Sequence, residues 1–464
     1  RDWNLTKSIF LLGLPIIVSN MSRVIMSMTD TAMVGRLELG ALSAVGMGGM
    51  FVFVLTSVGI AFRTGVQTMV SRRLGEKKYE QCGHVIQNGI ILVAIIVIPL
   101  SAIVFLYGDL FVPFLFEAHQ TEVIGLCIDY VRWSSFSIVF TSLGFALAGF
   151  FSGIEKTRYH LEVTVASNLL NVYLNAGLIF GSSNLLTLLE AGSLEWLLPL
   201  WSLTEFPEMG VKGAAIATSI SSAWLFLHYC VRYLSPNIRR QFSRKFSLDK
   251  TVLLRLTQLC TPIAGQLILV MSGFVVFMKL VAKIGTVELD ATEIIFVIAS
   301  ASFMPAAGLG QACATTIGKF LGEKNPEMAY RSVFETMRMT AVFMGTMGIF
   351  FFLFPHSILR GFTSNEIVIK AGIPSLMMLG VLQIFDAMSQ TLWFSLNGAG
   401  DTKFPAITEV LIMWLIFIPG CWFSVSVIQV DLVYMWLNFA LYMILFTLIL
   451  FLRLRSGIWL KVKV

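Results

Sequence analysis

An aspartate and a row of asparagines lie in stretches of this sequence that are otherwise strongly apolar. Asp30 is near the end of one such stretch, and Asn168, Asn171 and Asn175 follow at spacings of three and four residues in a later one. These spacings place side chains on one face of a helix. Carboxylate and amide oxygens bind hard cations, and burial disfavours the charged form of a carboxyl group. The set therefore predicts a site that binds a cation or exchanges a proton. The same asparagines also suit hydrogen bonds between helices, worth about 0.6 kcal/mol each.

The stretches that carry these residues are long enough to cross a membrane. Of 464 residues, 56% are hydrophobic and 13% are charged, whereas soluble domains carry about 25% charged residues. A bilayer-spanning helix needs about 20 mostly apolar residues, and twelve such stretches run from 8–34 to 432–454. We therefore predict an all-α membrane protein with twelve transmembrane helices, surrounded by the lipid bilayer.

Charges between the spans predict the orientation of the chain. The loops at 108–124 and 183–211 contain no lysine or arginine, whereas the alternate loops are basic. The basic segments are those at 72–78, 156–158, 235–255, 319–324, at Lys403 and at 453–463. Because cytoplasmic loops carry the excess of lysine and arginine, we expect a multi-pass protein of the inner (plasma) membrane with both termini cytoplasmic.

The second half of the chain repeats motifs of the first. Three motifs recur in the same order at shifts of 247, 247 and 245 residues. The pairs are Pro15-Ile and Pro262-Ile, Leu74-Gly-Glu-Lys77 and Leu321-Gly-Glu-Lys324, and Gly153-x-x-x-Thr157 and Gly398-x-x-x-Thr402.

Six spans in each half mean that both halves enter the membrane in the same sense, which is a parallel repeat. We predict two six-helix lobes related by this repeat. The N-lobe is expected at 1–234 and the C-lobe at 254–464, with a cytoplasmic connecting segment at 235–253.

A second carboxylate and three arginines also fall in apolar stretches. Asp386 corresponds to Thr141 in the first half, so it is not explained by symmetry and is a second candidate coupling site; a hydrogen bond to Gln390, one turn later, is the alternative. Arg23 precedes Asp30 by seven residues on the same helix face, about 10 Å along the axis. A carboxylate, a carbonyl group or the membrane surface are its possible partners. We expect Arg63 and Arg132 to be packing or interfacial anchors.

Four stretches carry a family resemblance. Together, and in this order, they resemble the multidrug and toxic compound extrusion (MATE) transporters over essentially the full length of the chain. The stretches are Pro15 with Asp30-Thr-x-x-Val-Gly35, Asn171-x-x-x-Asn175-x-x-Leu-Ile-Phe-Gly181, Gly213-Ala-Ala-Ile-Ala-Thr218, and Asp386 with Asn397-Gly-Ala-Gly-Asp401-Thr-Lys-Phe-Pro405.

The resemblance implies two lobes around a cleft that opens alternately to either side of the membrane. It implies antiport, in which small organic, often cationic, amphiphiles leave the cell against an influx of H⁺ or Na⁺. It implies a cation-binding site at Asp30, Asn171, Asn175 and Thr218, and it associates Pro15 with bending of helix 1. We expect no cofactor, no metal beyond Na⁺ at this site, no nucleic-acid partner and a monomeric protein.

The sequence departs from the family pattern in two places. Many relatives carry a second carboxylate on helix 5, where this chain has Asn175. The NorM-like branch carries a glutamate on helix 7, whereas residues 266–277 contain none. The pattern is closest to the DinF-like branch, and one titratable group in the N-lobe slightly favours H⁺ over Na⁺.

Two other classes of protein fit the sequence less well. A flippase for a lipid-linked precursor is the alternative function; it requires a strongly cationic cleft, for which only Arg23, Arg63 and Arg132 are available. An enzyme is not expected, because the motifs HExxH, GxSxG and GxxxxGK[ST] are absent from the sequence.

Overall fold

The computed structural model describes residues 3–37, 40–115, 121–191, 201, 205–242, 247–428 and 431–464. Within these ranges twelve helices are long and apolar enough to cross a membrane, which confirms the predicted number. Parts of the predicted loops at 108–124 and 183–211, and residues 243–246 of the predicted connecting segment, lie outside the described residues.

The twelve spans fall six in each half of the chain. In the first half they are α1 (Trp3–Val34), α2 (Ala41–Gly75), α3 (Tyr79–Leu115), α4 (Thr121–Gly153), α5 (Thr157–Ala191) and α6 (Gly210–Leu234). In the second half they are α7 (Lys250–Ala282), α8 (Thr286–Gly322), α9 (Pro326–Leu353), α10 (Glu366–Gly398), α11 (Lys403–Ile428) and α12 (Leu432–Arg455).

The backbone repeats where the sequence motifs repeat. Four helices, α2, α4, α8 and α10, end in the same turn, with a left-handed residue at Lys77, Glu155, Lys324 or Gly400. In each turn that residue donates to the carbonyl three residues back, and the next residue donates to the carbonyl five residues back. This is the Schellman arrangement that satisfies the last carbonyls of a helix. The parallel repeat is therefore present in the backbone as well as in the sequence.

The two lobes meet at the ends of the helices that carry these basic turns. Gln67 Nε2 on α2 donates to the Gln311 carbonyl and to Thr315 Oγ1 on α8, both at 2.8 Å. Lys319 Nζ of α8 forms an ion pair with Glu155 at 2.9 Å. The backbones of α2 and α8 cross so closely here that a side chain at Gly75 or Gly322 would overlap a carbonyl group of the opposite lobe.

The C-terminal segment covers the same end of the molecule. Arg72 Nη2 donates to the carbonyls of Ala399 and Val462 at 3.1 and 3.2 Å. Arg73 Nη2 donates to the Val464 carbonyl at 3.4 Å. Side chains of α2 therefore hold the C-terminal segment of the other lobe at this end of the molecule.

The connection between the halves is fastened to α3. A short helix, Pro236–Phe242, follows α6. Asn88 of α3 is fully buried; its Nδ2 donates to the Ser247 carbonyl and its Oδ1 accepts from the Asp249 amide, at 3.1 and 2.9 Å. The first helix of the C-terminal half begins at Lys250, earlier than the predicted start of the C-lobe at residue 254.

Candidate cation site and cleft residues

Two predicted N-lobe residues of α5 meet Asp30 of α1. Asp30 Oδ1 accepts a hydrogen bond from Asn175 Nδ2 at 2.6 Å, and the amides of Asn175 and Asn171 approach within 3.1 Å. Both asparagines are buried, whereas Asp30 keeps partial access to solvent. In the described part of the chain no lysine or arginine lies within ion-pair distance of Asp30. The carboxyl group is therefore held by neutral amides alone.

The Asn171 amide fits beside Asp30 in two orientations. The amide atom that faces Asp30 lies 3.2 Å from both carboxylate oxygens, and the opposite amide atom lies 3.1 Å from Ser221 Oγ on α6. With nitrogen toward Asp30, the amide donates to an ionised carboxylate. With oxygen toward Asp30, three oxygens converge and need a proton or a cation between them. Nitrogen toward Asp30 is the orientation in which both ends of the amide are satisfied, and it suits an ionised carboxylate.

A further oxygen at this site has no partner. Asn175 Oδ1 is buried and accepts no hydrogen bond from the residues that the structure describes. Buried polar atoms are normally satisfied. The oxygen is therefore available to a cation or a water molecule next to Asp30.

Thr218, the fourth predicted residue, lies one helical turn from this contact. Its hydroxyl donates to the Ala214 carbonyl of its own helix at 2.9 Å. Ser221 Oγ, which bonds to Asn171, also donates to the Thr218 carbonyl at 3.1 Å. Ser221 therefore joins α6 to the site, and sequence reasoning missed it. Its position three residues after Thr218, on the same helix face, was the available signal.

Pro15 is buried in the first half of α1, which is helical from Trp3 to Val34. Proline has no amide hydrogen for the carbonyl four residues earlier, so the helix lacks one stabilising bond at this point. The Ser19 hydroxyl donates to the Pro15 carbonyl at 2.8 Å. In this structure α1 accommodates the proline without a break.

Asp386 on α10, the second candidate coupling site, has the hydrogen-bond partner that the sequence suggested, Gln390. Gln390 Nε2 donates to Asp386 Oδ1 at 3.4 Å, a long and therefore weak hydrogen bond. Asp386 is half-buried and is close enough to a second carboxylate, Glu409 of α11, for the two to repel each other.

Glu409 is the main functional candidate that sequence reasoning missed. Tyr442 of α12 donates its hydroxyl to Glu409 Oε1 at 2.8 Å, and Gln266 of α7 donates to Glu409 Oε2. Gln266 Oε1 in turn accepts from Trp393 Nε1 of α10 at 3.2 Å. Four helices therefore position this carboxylate. Its place near the start of a span resembles an interfacial position, although any carboxylate in an apolar stretch is a signal.

The three arginines have different surroundings. Arg132 donates from Nε to the Phe105 carbonyl at 3.2 Å and lies 3.6 Å from Asp109. The Arg23 guanidinium lies 5.4 Å from the centre of the Phe145 ring. Arg63 Nη2 lies 3.2 Å from His160 Nε2.

Polar side chains inside membrane-spanning helices mark substrate or ion pathways, and two repeated lobes are a common architecture of transporters. The fold and the site therefore place the chain in the class of membrane transporters. The MatE family model matches residues 15–176 and 262–423, and the chain therefore belongs to the MatE (MATE) family. The second match is shifted from the first by 247 residues at both ends, as the sequence motifs are. Members of this family are transporters, so the expectation that the chain is not an enzyme is confirmed.

Curated relatives match almost the whole chain. A "Probable multidrug resistance protein NorM" from Thermotoga maritima is 26% identical, over 98% of this chain and 93% of the relative. A protein of the same name from Mesorhizobium japonicum is 26% identical, over 88% of this chain and 84% of its own length. The predicted similarity to the DinF-like branch stays a prediction.

Solved structures share the fold. A MOP superfamily transporter from Pyrococcus furiosus has a TM-score of 0.86 at 18% identity, over 99% of this chain and 97% of its own. The eukaryotic MATE transporter AtDTX14 has a TM-score of 0.81 at 20% identity, with the same coverage. These likenesses confirm the predicted all-α architecture of two lobes.

Proposed function

We propose that this protein exports amphiphilic organic molecules by H⁺-coupled antiport, with Asp30 as the proton-carrying group. The observation that carries the proposal is the Asp30 carboxyl group, which lies within a membrane-spanning helix and, among the described residues, accepts hydrogen bonds from asparagine amides. A carboxylate in such a position is costly and is retained for function. Export of drugs follows from the family and from the relatives, which are named multidrug resistance proteins.

The oxygen atoms around Asp30 favour H⁺ over Na⁺. The hard cations Ca²⁺ and Mg²⁺ take six or more oxygen ligands in protein sites, and by analogy a Na⁺ site would need several oxygen atoms. Asp30, Asn171 and Asn175 offer four side-chain oxygens at most, and the Thr218 hydroxyl bonds to its own helix. A proton needs only the carboxyl group and an acceptor, which the oxygen of Asn171 supplies.

Protonation changes the bonds that join three helices. An ionised Asp30 accepts from α5 amides, and Asn171 connects the carboxylate through Ser221 to α6. A neutral carboxyl group accepts more weakly, so protonation loosens α1 against α5 and α6. The missing helical bond at Pro15 gives α1 a place to bend. The proton shifts the equilibrium between conformations by its different affinity for each.

The lobe contacts support alternating access. In the described residues, the direct hydrogen bonds between α2 and α8 lie at the end with the basic turns. If both termini are cytoplasmic, that end is the cytoplasmic one and the cleft between the lobes faces outward. We propose this orientation, lobes at 1–234 and 254–464 with a connecting segment at 235–253, a plasma-membrane location and a monomeric protein.

The experiment is transport of a fluorescent amphiphilic dye in liposomes with a pH gradient or a Na⁺ gradient imposed separately. We expect the pH gradient alone to drive the wild type, and Asp30→Asn to reduce driven transport to the level of empty liposomes. Asp386→Asn is the matched variant in the other lobe and should retain part of the transport.

Two results would change the proposal. Drive by Na⁺ alone would make the oxygen atoms of Asp30, Asn171 and Asn175 a Na⁺ site. Full coupled transport in Asp30→Asn would show that the N-lobe does not carry the coupling ion, and Asp386 with Glu409 would become the next candidates.

A further inference from the structure

We propose that Arg23 and Arg63 form a subsite in the N-lobe for the anionic oxygen group of an amphiphile, a carboxylate, sulfonate or phosphate. The inference rests on the proposed export of amphiphiles, since it names the part of the substrate that the N-lobe recognises. Its evidence is the chemistry around the two guanidinium groups, which lie in membrane-spanning helices α1 and α2.

Arg63 has a partner that cannot neutralise it. Its Nη2 lies 3.2 Å from His160 Nε2. Because arginine only donates hydrogen bonds, His160 Nε2 must be the acceptor and the ring proton lies on Nδ1. His160 Nδ1 is 2.5 Å from the Tyr229 hydroxyl, which accepts that proton. The imidazole is therefore neutral, and the charge on Arg63 is not compensated by it.

Arg63 also has an unused donor. The side chain is 6% exposed, and its Nε is buried without a hydrogen-bond partner in the described part of the chain. A buried donor left unsatisfied costs about 1–3 kcal/mol, and more for a charged group. An oxyanion is the kind of partner that this donor lacks.

Arg23 supplies a second positive charge next to the first. Arg23 lies over the Phe145 ring of α4, and Gly149, about one turn further along α4, lies against the Arg63 backbone. The two guanidinium groups are therefore neighbours and repel each other. The Arg23 side chain is half-buried, so part of it stays accessible. The described residues give it no carboxylate partner; its contact is the face of Phe145 at 5.4 Å.

These features select the chemistry of the ligand. Guanidinium groups bind carboxylate and phosphate oxygens through paired hydrogen bonds, and like charges side by side become favourable once an anion joins them. Phe145 adds an apolar surface beside the charges. Asp30, the nearest candidate counter-charge along α1, is seven residues away and bonds to Asn175. The N-lobe is thus suited to an anionic group and disfavours a cationic one.

The test compares two dyes that differ in one anionic group. Rhodamine B carries a carboxylate, and its ethyl ester does not. Binding of each to the purified full-length protein is measured by fluorescence polarisation in phosphatidylcholine nanodiscs without an ion gradient. A failure of the coupling proposal therefore leaves this measurement intact. We expect the wild type to bind rhodamine B about tenfold more tightly than the ester.

Variants assign that preference to the arginines. Arg23→Gln and Arg63→Gln should each remove about a tenfold preference, whereas Arg23→Lys should retain part of it because the charge remains. Arg158→Gln, at an exposed position at the start of α5, is the control and should behave like the wild type. Thermal melting of each variant checks folding. Should Arg63→Gln unfold the protein, Arg23→Gln decides, because Arg23 has no ion pair or hydrogen bond with the described residues and its ring contact is with Phe145.

Equal binding of the two dyes by the wild type, or an unchanged preference in both Gln variants, would overturn the proposal. Adding phosphatidylglycerol to the nanodiscs separates two sources of the anionic group. Displacement of rhodamine B from the wild type, but not of the ester, assigns the subsite to a lipid phosphate. No displacement assigns it to the anionic group of a soluble amphiphile.

Discussion

The two lobes share one backbone plan and differ in what they enclose. Their helix-terminating turns are the same in α2 and α8 and in α4 and α10. At the shift of 247 residues, however, Asp30 corresponds to Phe277 and Arg23 to Val270. Among the described residues, Arg23, Arg63 and Asp30 lie within the N-lobe spans, whereas the C-lobe site combines two carboxyl groups, Glu409 and Asp386, neither of which has a lysine or arginine partner.

This difference indicates that the two halves keep the same backbone arrangement, the frame, while a few side chains differ in function. An N-lobe with an excess of positive charge suits anionic groups and a single exchangeable proton. A C-lobe with an excess of negative charge suits cationic groups. A molecule that carries both kinds of group would find a complementary partner in each lobe.

The largest expected effect tests the shared frame. A side chain at Gly75 would overlap the Lys319 carbonyl, and one at Gly322 would overlap the Arg72 carbonyl. Because backbone cannot yield as a flexible side chain does, we expect Gly75→Val and Gly322→Val each to abolish dye transport in liposomes. The two losses should be equal, since the crossing of α2 and α8 is symmetric.

Each lobe offers a control for this prediction. A Cβ atom added at Gly46 or at Gly265 meets no atom of a neighbouring element within 4 Å, so Gly46→Val and Gly265→Val should transport like the wild type. Strong transport by one crossing variant, with loss in the other, would show that the lobes do not contribute equally to the crossing.

The frame could be predicted from the sequence, and most of the charge distribution could not. Apolar spans, loop charges and the repeated Leu-Gly-Glu-Lys motif each depend on local sequence, so they predict helix number and repeat. Asn171 and Asn175 were found because they share a face of one helix. Glu409 was missed because its partners, Gln266 and Tyr442, come from distant helices. Only packing brings such residues together.

A smaller effect tests the acidic C-lobe. Glu409→Gln removes a negative charge while keeping the size of a side chain that contacts Tyr442 and Gln266. We expect affinity for rhodamine B ethyl ester, a cation, to fall about tenfold, equivalent to about 1.4 kcal/mol. Affinity for a neutral amphiphile should be unchanged. Equal losses for both ligands would mean that Glu409 supports packing and not charge recognition.

The next effect tests why the N-lobe has one carboxyl group where many family members have two. Asn175→Asp places a second carboxyl group 2.6 Å from an oxygen of Asp30. Two carboxylates so close cannot both stay ionised without a proton or a cation between them. We expect stimulation of liposome transport by Na⁺ to increase several-fold. Asn168→Asp, whose parent amide bonds to Ser22 instead, is the control, and equal stimulation in both would contradict the site at Asp30.

The smallest expected effect concerns the point where the lobes are joined. Asp249 precedes α7 and accepts hydrogen bonds from the Thr251 and Val252 amides at 2.8 and 3.4 Å. Loss of such a cap costs about 0.5–2 kcal/mol, so Asp249→Ala should lower the melting temperature by about 1–2 °C at neutral pH. Asp431, which precedes α12 without a capping bond to the described residues, is the matched control; Asp431→Ala should melt like the wild type.

The pH dependence of that small difference identifies its cause. The hydrogen bond from the Thr251 amide, with that from the His84 side chain, holds the pKa of Asp249 below its ordinary value. A carboxyl group with a lowered pKa stabilises the fold above its unfolded pKa and loses that contribution as the pH falls through the folded pKa. The wild type and Asp249→Ala should therefore converge in melting temperature as the solution is acidified below the ordinary carboxyl range. A difference that persists in acid would mean that Asp249 acts by packing and not through the charge of its cap.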